Sequence, residues 1–148
     1  MPTRVEFDFH TTATPAQVVE LLTDFSDARP DRWPALSRRW YEVYSVGATE
    51  ADVREGQDKP PLWAREHYDW STPGKVTWTV VDSSDLGTGS YVSLSARPGA
   101  AGGADVHGVW ERTATTTKTR VILAIMRVAG ARILSGYFRK VYDGLAAG

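Results

Sequence analysis

Residues 63–70 read WAREHYDW and run straight into STPG at 71–74. An aromatic-rich stretch closed by Ser, Thr, Pro and Gly has the composition of a strand entering a turn. Consecutive side chains of a strand point to opposite faces. Trp63, Arg65, His67 and Asp69 therefore share one face, and Ala64, Glu66, Tyr68 and Trp70 share the other. Neither set is apolar, so the pairing with the next strand decides which looks inward. That strand is KVTWTVV (75–81), with Val76, Trp78 and Val80 as its apolar side. A tight turn at STPG pairs Trp70 with Lys75, hence His67 with Trp78 and Arg65 with Val80. Opposed residues share a face, so Arg65, His67 and Asp69 are expected inward. A slip of one residue reverses the choice and turns Glu66, Tyr68 and Trp70 inward instead.

The flanking segments extend a meander. SYVSLSA (90–96) has Val92, Leu94 and Ala96 on its apolar side, and DVHGVWER (105–112) has Val106, Gly108 and Trp110, with turn-rich DSSDLGTG and RPGAAGG between strands. Upstream, WYEVYSV (40–46) and ADVRE (51–55) suggest a hairpin turning near Gly47. At the N-terminus Val5, Phe7 and Phe9 alternate with charged residues as a half-buried strand does. Thr14 as N-cap and Pro15 at the first helical position start a short helix to about Phe25, and SDARPDRWPAL follows as a loop or single helical turn. From Arg120 to about Leu145 no proline occurs and helix formers dominate, predicting one long helix. Its apolar stripe shifts side: Ile122, Ile125, Met126, Ala129 and Ile133 cluster before Gly130 and just after it, and Leu134, Tyr137, Phe138, Val141 and Leu145 cluster beyond, so a bend is expected at Gly130.

The 148 residues are expected to form a single domain, 1–148. Seventeen basic against eighteen acidic side chains give a net charge of −1, which offers no field for nucleic acid. No cysteine is present, which removes disulfides and thiolate chemistry. The alternating start MPTRVEFDFH is unlike an export signal, and the longest aliphatic run, VILAIM (121–126), is short for a membrane span, so a cytoplasmic protein without stable membrane insertion is expected. The order strand, short helix, six strands, long helix predicts an α+β fold: a seven-stranded curved antiparallel sheet wrapped around the last helix, with short helical segments between the first two strands.

ATPAQVVELLTDF, RRWYEVYSVG, WAREHYDWSTPGKVTWTVVDSS and GYFRKVYDGL, spread over nearly the whole chain, resemble the SRPBCC superfamily, which includes START-related lipid-transfer domains and polyketide cyclase/dehydrase-like proteins. The resemblance implies the helix-grip fold and a pocket between sheet and last helix, and its members divide between carriers and enzymes.

The expected function is binding of a hydrophobic lipid-, aromatic- or polyketide-like molecule in that pocket, lined by Trp63, Arg65, His67, Asp69, Val76, Trp78, Val92, Leu94, Trp110 and Met126. The alternative is a cyclase, aromatase or dehydratase-type enzyme with His67 as general acid/base, Asp69 orienting it and Arg65 stabilising an enolate. His10 and His107 are read as outward, no metal-ligand spacing occurs, and no cofactor is expected. The basic residues Arg120, Arg127, Arg132, Arg139 and Lys140 are read as a solvated helix face. A homodimer through outward Tyr41, Tyr68, Trp70 and Tyr91 is the protein partner considered.

Overall fold

Alternation at the N-terminus produces the first strand, β1 (Thr3–Thr11), which buries Thr3, Val5, Phe7, Phe9 and Thr11 and exposes the residues between them. The computed structural model describes residues 2–147. α1 (Pro15–Leu22) opens on a capping box: the Thr14 hydroxyl accepts from Gln17 N, and the Gln17 side chain accepts from Thr14 N. α2 (Arg29–Arg32) is a single turn. There follow β2 (Glu42–Val46), β3 (Glu50–Asp58), β4 (Pro61–Asp69), β5 (Lys75–Ser83), β6 (Tyr91–Pro98), β7 (Ala104–Arg112) and α3 (Thr117–Ala147). The strands form one antiparallel sheet in the order β1-β7-β6-β5-β4-β3-β2, so β2 to β7 are a meander that β1 completes. α1 and α2 carry the chain from one edge to the other. The sheet curves around α3, as the sequence predicts.

The register between β4 and β5 corrects the sequence reading. Glu66 pairs with Val80, Tyr68 with Trp78, and Asp69 with Thr77, one residue away from the tight-turn pairing. The cause is the turn itself. Asp69 accepts from the backbone N and the hydroxyl of Ser71, which ends β4 early. Pro73 and Gly74 then occupy the centre of a turn closed by Lys75 N donating to Thr72 O, with Gly74 at φ +74°, where glycine is favoured. Glu66 and Tyr68 consequently face inward, while Arg65, His67 and Asp69 lie on the opposite face. Ala64 continues the alternation of Glu66 and Tyr68 and is also buried, while a bulge at Val81 of β5 lies opposite Arg65 and Glu66.

α3 packs chiefly across β1 and is fastened at both ends. At its start, Thr116 Oγ1 donates to Asp85 Oδ1 at 2.8 Å and Thr119 Oγ1 to the Asp85 carbonyl at 2.9 Å. At its end, Thr11 Oγ1 and Thr12 N donate to Asp143 Oδ1, and the Tyr142 hydroxyl donates to Val18 O. Gly130 lets the helix approach the strand, since a Cβ there would sit 3.2 Å from a Val5 methyl. Of the two apolar sides read off the sequence, the second packs on the core through Leu134, Tyr137, Phe138 and Val141, and the first does not. Thr119, Leu123, Gly130, Phe138 and Tyr142 are the buried positions among the described residues of the helix, whereas Ile125 and Ile133 are exposed together with Val121 and Val128. By length and composition alone α3 could cross a membrane; in this fold it is the helix that the sheet grips.

An aromatic cluster fills much of the space between helix and sheet. Phe7, Phe9 and Phe138 stack, Tyr142 stacks on Phe9, and Trp33 meets Phe138 and Tyr142 edge-on. The Phe7 ring lies over its cross-strand partner Gly108, where a Cβ would come within 2.1 Å of it.

Candidate functional site

Beside that cluster a cavity of about 200 Å³ remains, walled by β3, β4, β5 and β7, by the segment after α2, and by α3. Its apolar surface comes from Leu22, Trp33, Leu62, Trp78, Leu86 and Phe138. Its polar side chains are those of Arg29, Glu55, Gln57, Glu66, Tyr68, Arg112 and Tyr137. Parity along the strands places most of these: Glu55 follows the buried Ala51 and Val53, and Arg112 continues the face of Val106 and Gly108.

The polar groups form two units of unequal quality. In the first, Arg29 is buried and its hydrogen bonds are well satisfied. Its Nε donates to Glu55 Oε2 at 2.6 Å, its Nη1 to the carbonyl oxygens of Leu22 at 2.9 Å and Asp24 at 3.1 Å, and its Nη2 to the Tyr68 hydroxyl at 3.2 Å. The Tyr68 hydroxyl donates in turn to Glu55 Oε1. The guanidinium also sits 4.6 Å from the Phe25 ring centroid. This unit closes the C-terminus of α1 and ties α2 to β3 and β4. Burial and the neighbouring Glu55 carboxylate push the Tyr68 hydroxyl well above its ordinary pKa, so it stays neutral.

The second unit is loose. Arg112 Nη1 and Nη2 both donate to a single oxygen, Glu66 Oε2, at 3.4 and 3.5 Å. Among the described residues neither Glu66 Oε1 nor Arg112 Nε has a hydrogen-bond partner, and neither atom is sealed in packed protein. Burial raises the Glu66 carboxyl from 4.5 to about 7; Arg112 opposes the rise and Glu55 adds to it. At neutral pH this carboxyl is therefore poised between its two forms. Trp33, on the same wall, has a buried indole Nε1 without a partner among the described residues.

The residues predicted from sequence fall into three groups. Trp78 lines the cavity. Val76, Val92 and Leu94 are buried in the core, Trp110 packs against it, and Met126 is half-buried on α3. Trp63, Arg65, His67 and Asp69 are outside the cavity: Trp63 is half-buried, the Arg65 guanidinium stacks 4.1 Å from the Tyr44 ring centroid, and Asp69 caps its turn. His67 is 36% exposed and lies 3.4 Å from Asp52 and 3.7 Å from Glu50. The Arg65, His67, Asp69 ladder expected inside thus lies on the opposite face, each member with partners of its own, and the reason is the one-residue shift at the turn. Tyr68 is correspondingly removed from the outward set considered for a dimer, being 2% exposed. His10 and His107 are outward, paired with Asp105 and with Asp8 and Glu6.

No protein-family model matches the chain, and no curated protein matches it by sequence. Solved structures do match by fold. The Zhui aromatase/cyclase from Streptomyces sp. R1128 superposes over 99% of this chain and 94% of its own, with a TM-score of 0.77 at 13% identity. A START superfamily protein from Mycobacterium smegmatis matches over 97% of both chains, with a TM-score of 0.74 at 10% identity. Norcoclaurine synthase from Thalictrum flavum, solved with dopamine and hydroxybenzaldehyde, matches over 95% of this chain and 86% of its own, with a TM-score of 0.67 at 7% identity. The fold is the helix-grip of START and aromatase/cyclase proteins, as the sequence resemblance implies.

Proposed function

We propose that this protein binds a small, largely apolar ring compound in the cavity between the sheet and α3. The carrying observation is the cavity itself: about 200 Å³, walled by Trp33, Trp78, Phe138 and aliphatic side chains, with two ion pairs, Arg29–Glu55 and Arg112–Glu66, as its charged groups. An apolar cavity of ~150 Å³ holds a benzene ring, so the space suits one or two fused rings. The aromatase/cyclase and norcoclaurine synthase matches, named for chemistry on ring compounds, lean the same way.

Tryptophan fluorescence tests the reading, because Trp33 and Trp78 report on the cavity. Saturable quenching or shift by naphthalene derivatives is expected in the wild type. Ala64→Phe, which places a ring into the cavity from a buried wall position, is expected to abolish it. Absence of binding, or equal binding in the filled variant, refutes the assignment.

One observation favours an enzymatic second reading. A general acid/base of a cyclase or dehydratase-type reaction needs a pKa near the working pH inside the cavity, and Glu66, raised to about 7, meets that condition. In that reading Glu66 takes the role that sequence gave to His67. Turnover of a cyclisable aromatic ketone that survives Glu66→Gln unchanged would exclude it.

A further inference from the structure

The polar inventory of the cavity is unbalanced toward donors. Arg112 offers a guanidinium whose side-chain bonds are two long contacts to one oxygen, and its Nε has no partner among the described residues. The Tyr137 hydroxyl accepts from Ala35 N at 3.2 Å, which leaves its own O–H to be placed. Against these stand two free acceptors among the described residues, Gln57 Oε1 and Glu66 Oε1, and the latter itself becomes a donor if the carboxyl takes a proton. Arg29 cannot serve a ligand in the same way, because Glu55, Tyr68 and two backbone carbonyls already hold it.

We propose that the occupant is a small aromatic carboxylate, bound by its two oxygens to the Arg112 guanidinium in the place Glu66 Oε2 now holds, and that Glu66 takes up a proton from solvent as the ligand binds. The inference rests on the ring-binding reading above and names the class of ring compound. A carboxylate matches the planar fork of an arginine in two parallel hydrogen bonds, which the single-oxygen contact of Glu66 does not achieve. Two carboxylates on one guanidinium repel, so the weaker partner protonates. The charged and titratable groups around Glu66 agree with this. Arg112 of β7 is its cation; Glu55 of β3 disfavours its charge; Arg29 of α2 is engaged by Glu55; Tyr68 of β4 and Tyr137 of α3 stay neutral because burial raises both. The raised Glu66 pKa, about 7, means that protonation is already close at neutral pH.

The test is calorimetric titration of the full chain with 2-naphthoate and with its neutral analogue 2-naphthamide. Each is measured at pH 6.5 and 8.5 in two buffers of different ionisation heat, so that proton uptake is read directly. Naphthoate is expected to bind with uptake approaching one proton at the higher pH, its affinity falling by about tenfold per pH unit above ~7. Naphthamide should bind more weakly and without pH dependence. Glu66→Gln should abolish the uptake and bring naphthoate affinity at pH 8.5 to that of the wild type at pH 6.5. Arg112→Met should weaken naphthoate at least tenfold while sparing naphthamide; Arg112→Lys, which keeps the charge but loses the fork, should fall between. Proton uptake that persists in Glu66→Gln overturns the proposal, since the proton then goes to the ligand. So does naphthamide binding as tightly as naphthoate, which leaves the ring-binding reading standing. Binding of neither compound overturns both. Even if the variants fold poorly the proposal stays exposed to refutation, because wild-type protein that binds naphthoate at pH 8.5 without taking up a proton overturns it.

Discussion

Replacing Glu66 with Gln isolates the energetic consequence of placing a carboxyl in this cavity. The Glu66 pKa rises from 4.5 to about 7 on folding, with burial as the first cause. Between those values the folded chain holds a proton that the unfolded chain has released, so stability falls as pH rises through the window. At about 1.4 kcal/mol per pH unit, the full loss is about 3 kcal/mol above pH 7. Gln resembles the protonated carboxyl in shape and does not titrate. The two proteins should therefore be nearly equal near pH 5, and the variant should be the more stable by about 2 to 3 kcal/mol at pH 8. Other groups titrate over the same range but do so in both proteins, so the difference removes them. Urea unfolding followed by tryptophan fluorescence at pH 5, 6, 7 and 8 measures it. Parallel stability curves would show that Glu66 ionises without penalty, and the electrostatic argument for the cavity would fail with it.

Three further outcomes follow from the geometry. His67→Gln should change stability by less than about 0.5 kcal/mol and leave cavity binding intact, because the imidazole is partly exposed on the far side of the sheet; loss of binding would place it back in the site. Gly108→Ala should destabilise by about 2 kcal/mol or more, measured by thermal unfolding, since the new methyl would meet the Phe7 ring at 2.1 Å. Arg29→Met should cost about 3 to 5 kcal/mol by leaving Glu55 buried without its cation, and adding Glu55→Gln should recover part of that, which a double-mutant cycle reads directly.

The fold was legible because its strongest signals are local. Alternation in β1, the capping box before Pro15 and the proline-free run of α3 each fix an element without reference to the rest of the chain. The site was less legible, because its residues are assigned to a face by pairing. The STPG turn leaves two registers, and the deciding contact is the Asp69 carboxylate capping Ser71, a hydrogen bond that the letters alone do not announce. Two members could have been found by parity: Arg112 extends the inward face of Val106 and Gly108, and Glu55 extends that of Ala51 and Val53. Charge at the end of an apolar alternation reads as a strand end, which hides such residues. Arg29 carries no periodic signal at all, since it lies in a single helical turn between two irregular segments. The first of the two apolar sides of α3 was misplaced for a related reason, while the second, through Leu134, Tyr137, Phe138 and Val141, packs on the core. A helix that crosses the sheet chiefly over β1 buries a narrow line through Leu123 and Gly130 and leaves Ile125 and Val128 uncovered, so hydrophobicity overstates what is packed.

The contrast between the two buried ion pairs is what separates scaffold from site. Buried pairs are poor stabilisers, because desolvation offsets most of their attraction unless every donor and acceptor is used. Arg29 meets that condition and in doing so joins α1, α2, β3 and β4; its removal disconnects them. Arg112 on β7 and Glu66 on β4 reach across β5 and β6 within one sheet that backbone hydrogen bonds already hold together, with two long contacts to a single oxygen. A pair of apolar side chains of similar volume would fill that space with less desolvation. An under-satisfied pair at the edge of a ring-sized cavity therefore makes physical sense as a receptor in waiting, where an incoming group supplies the hydrogen bonds that the protein leaves unmade.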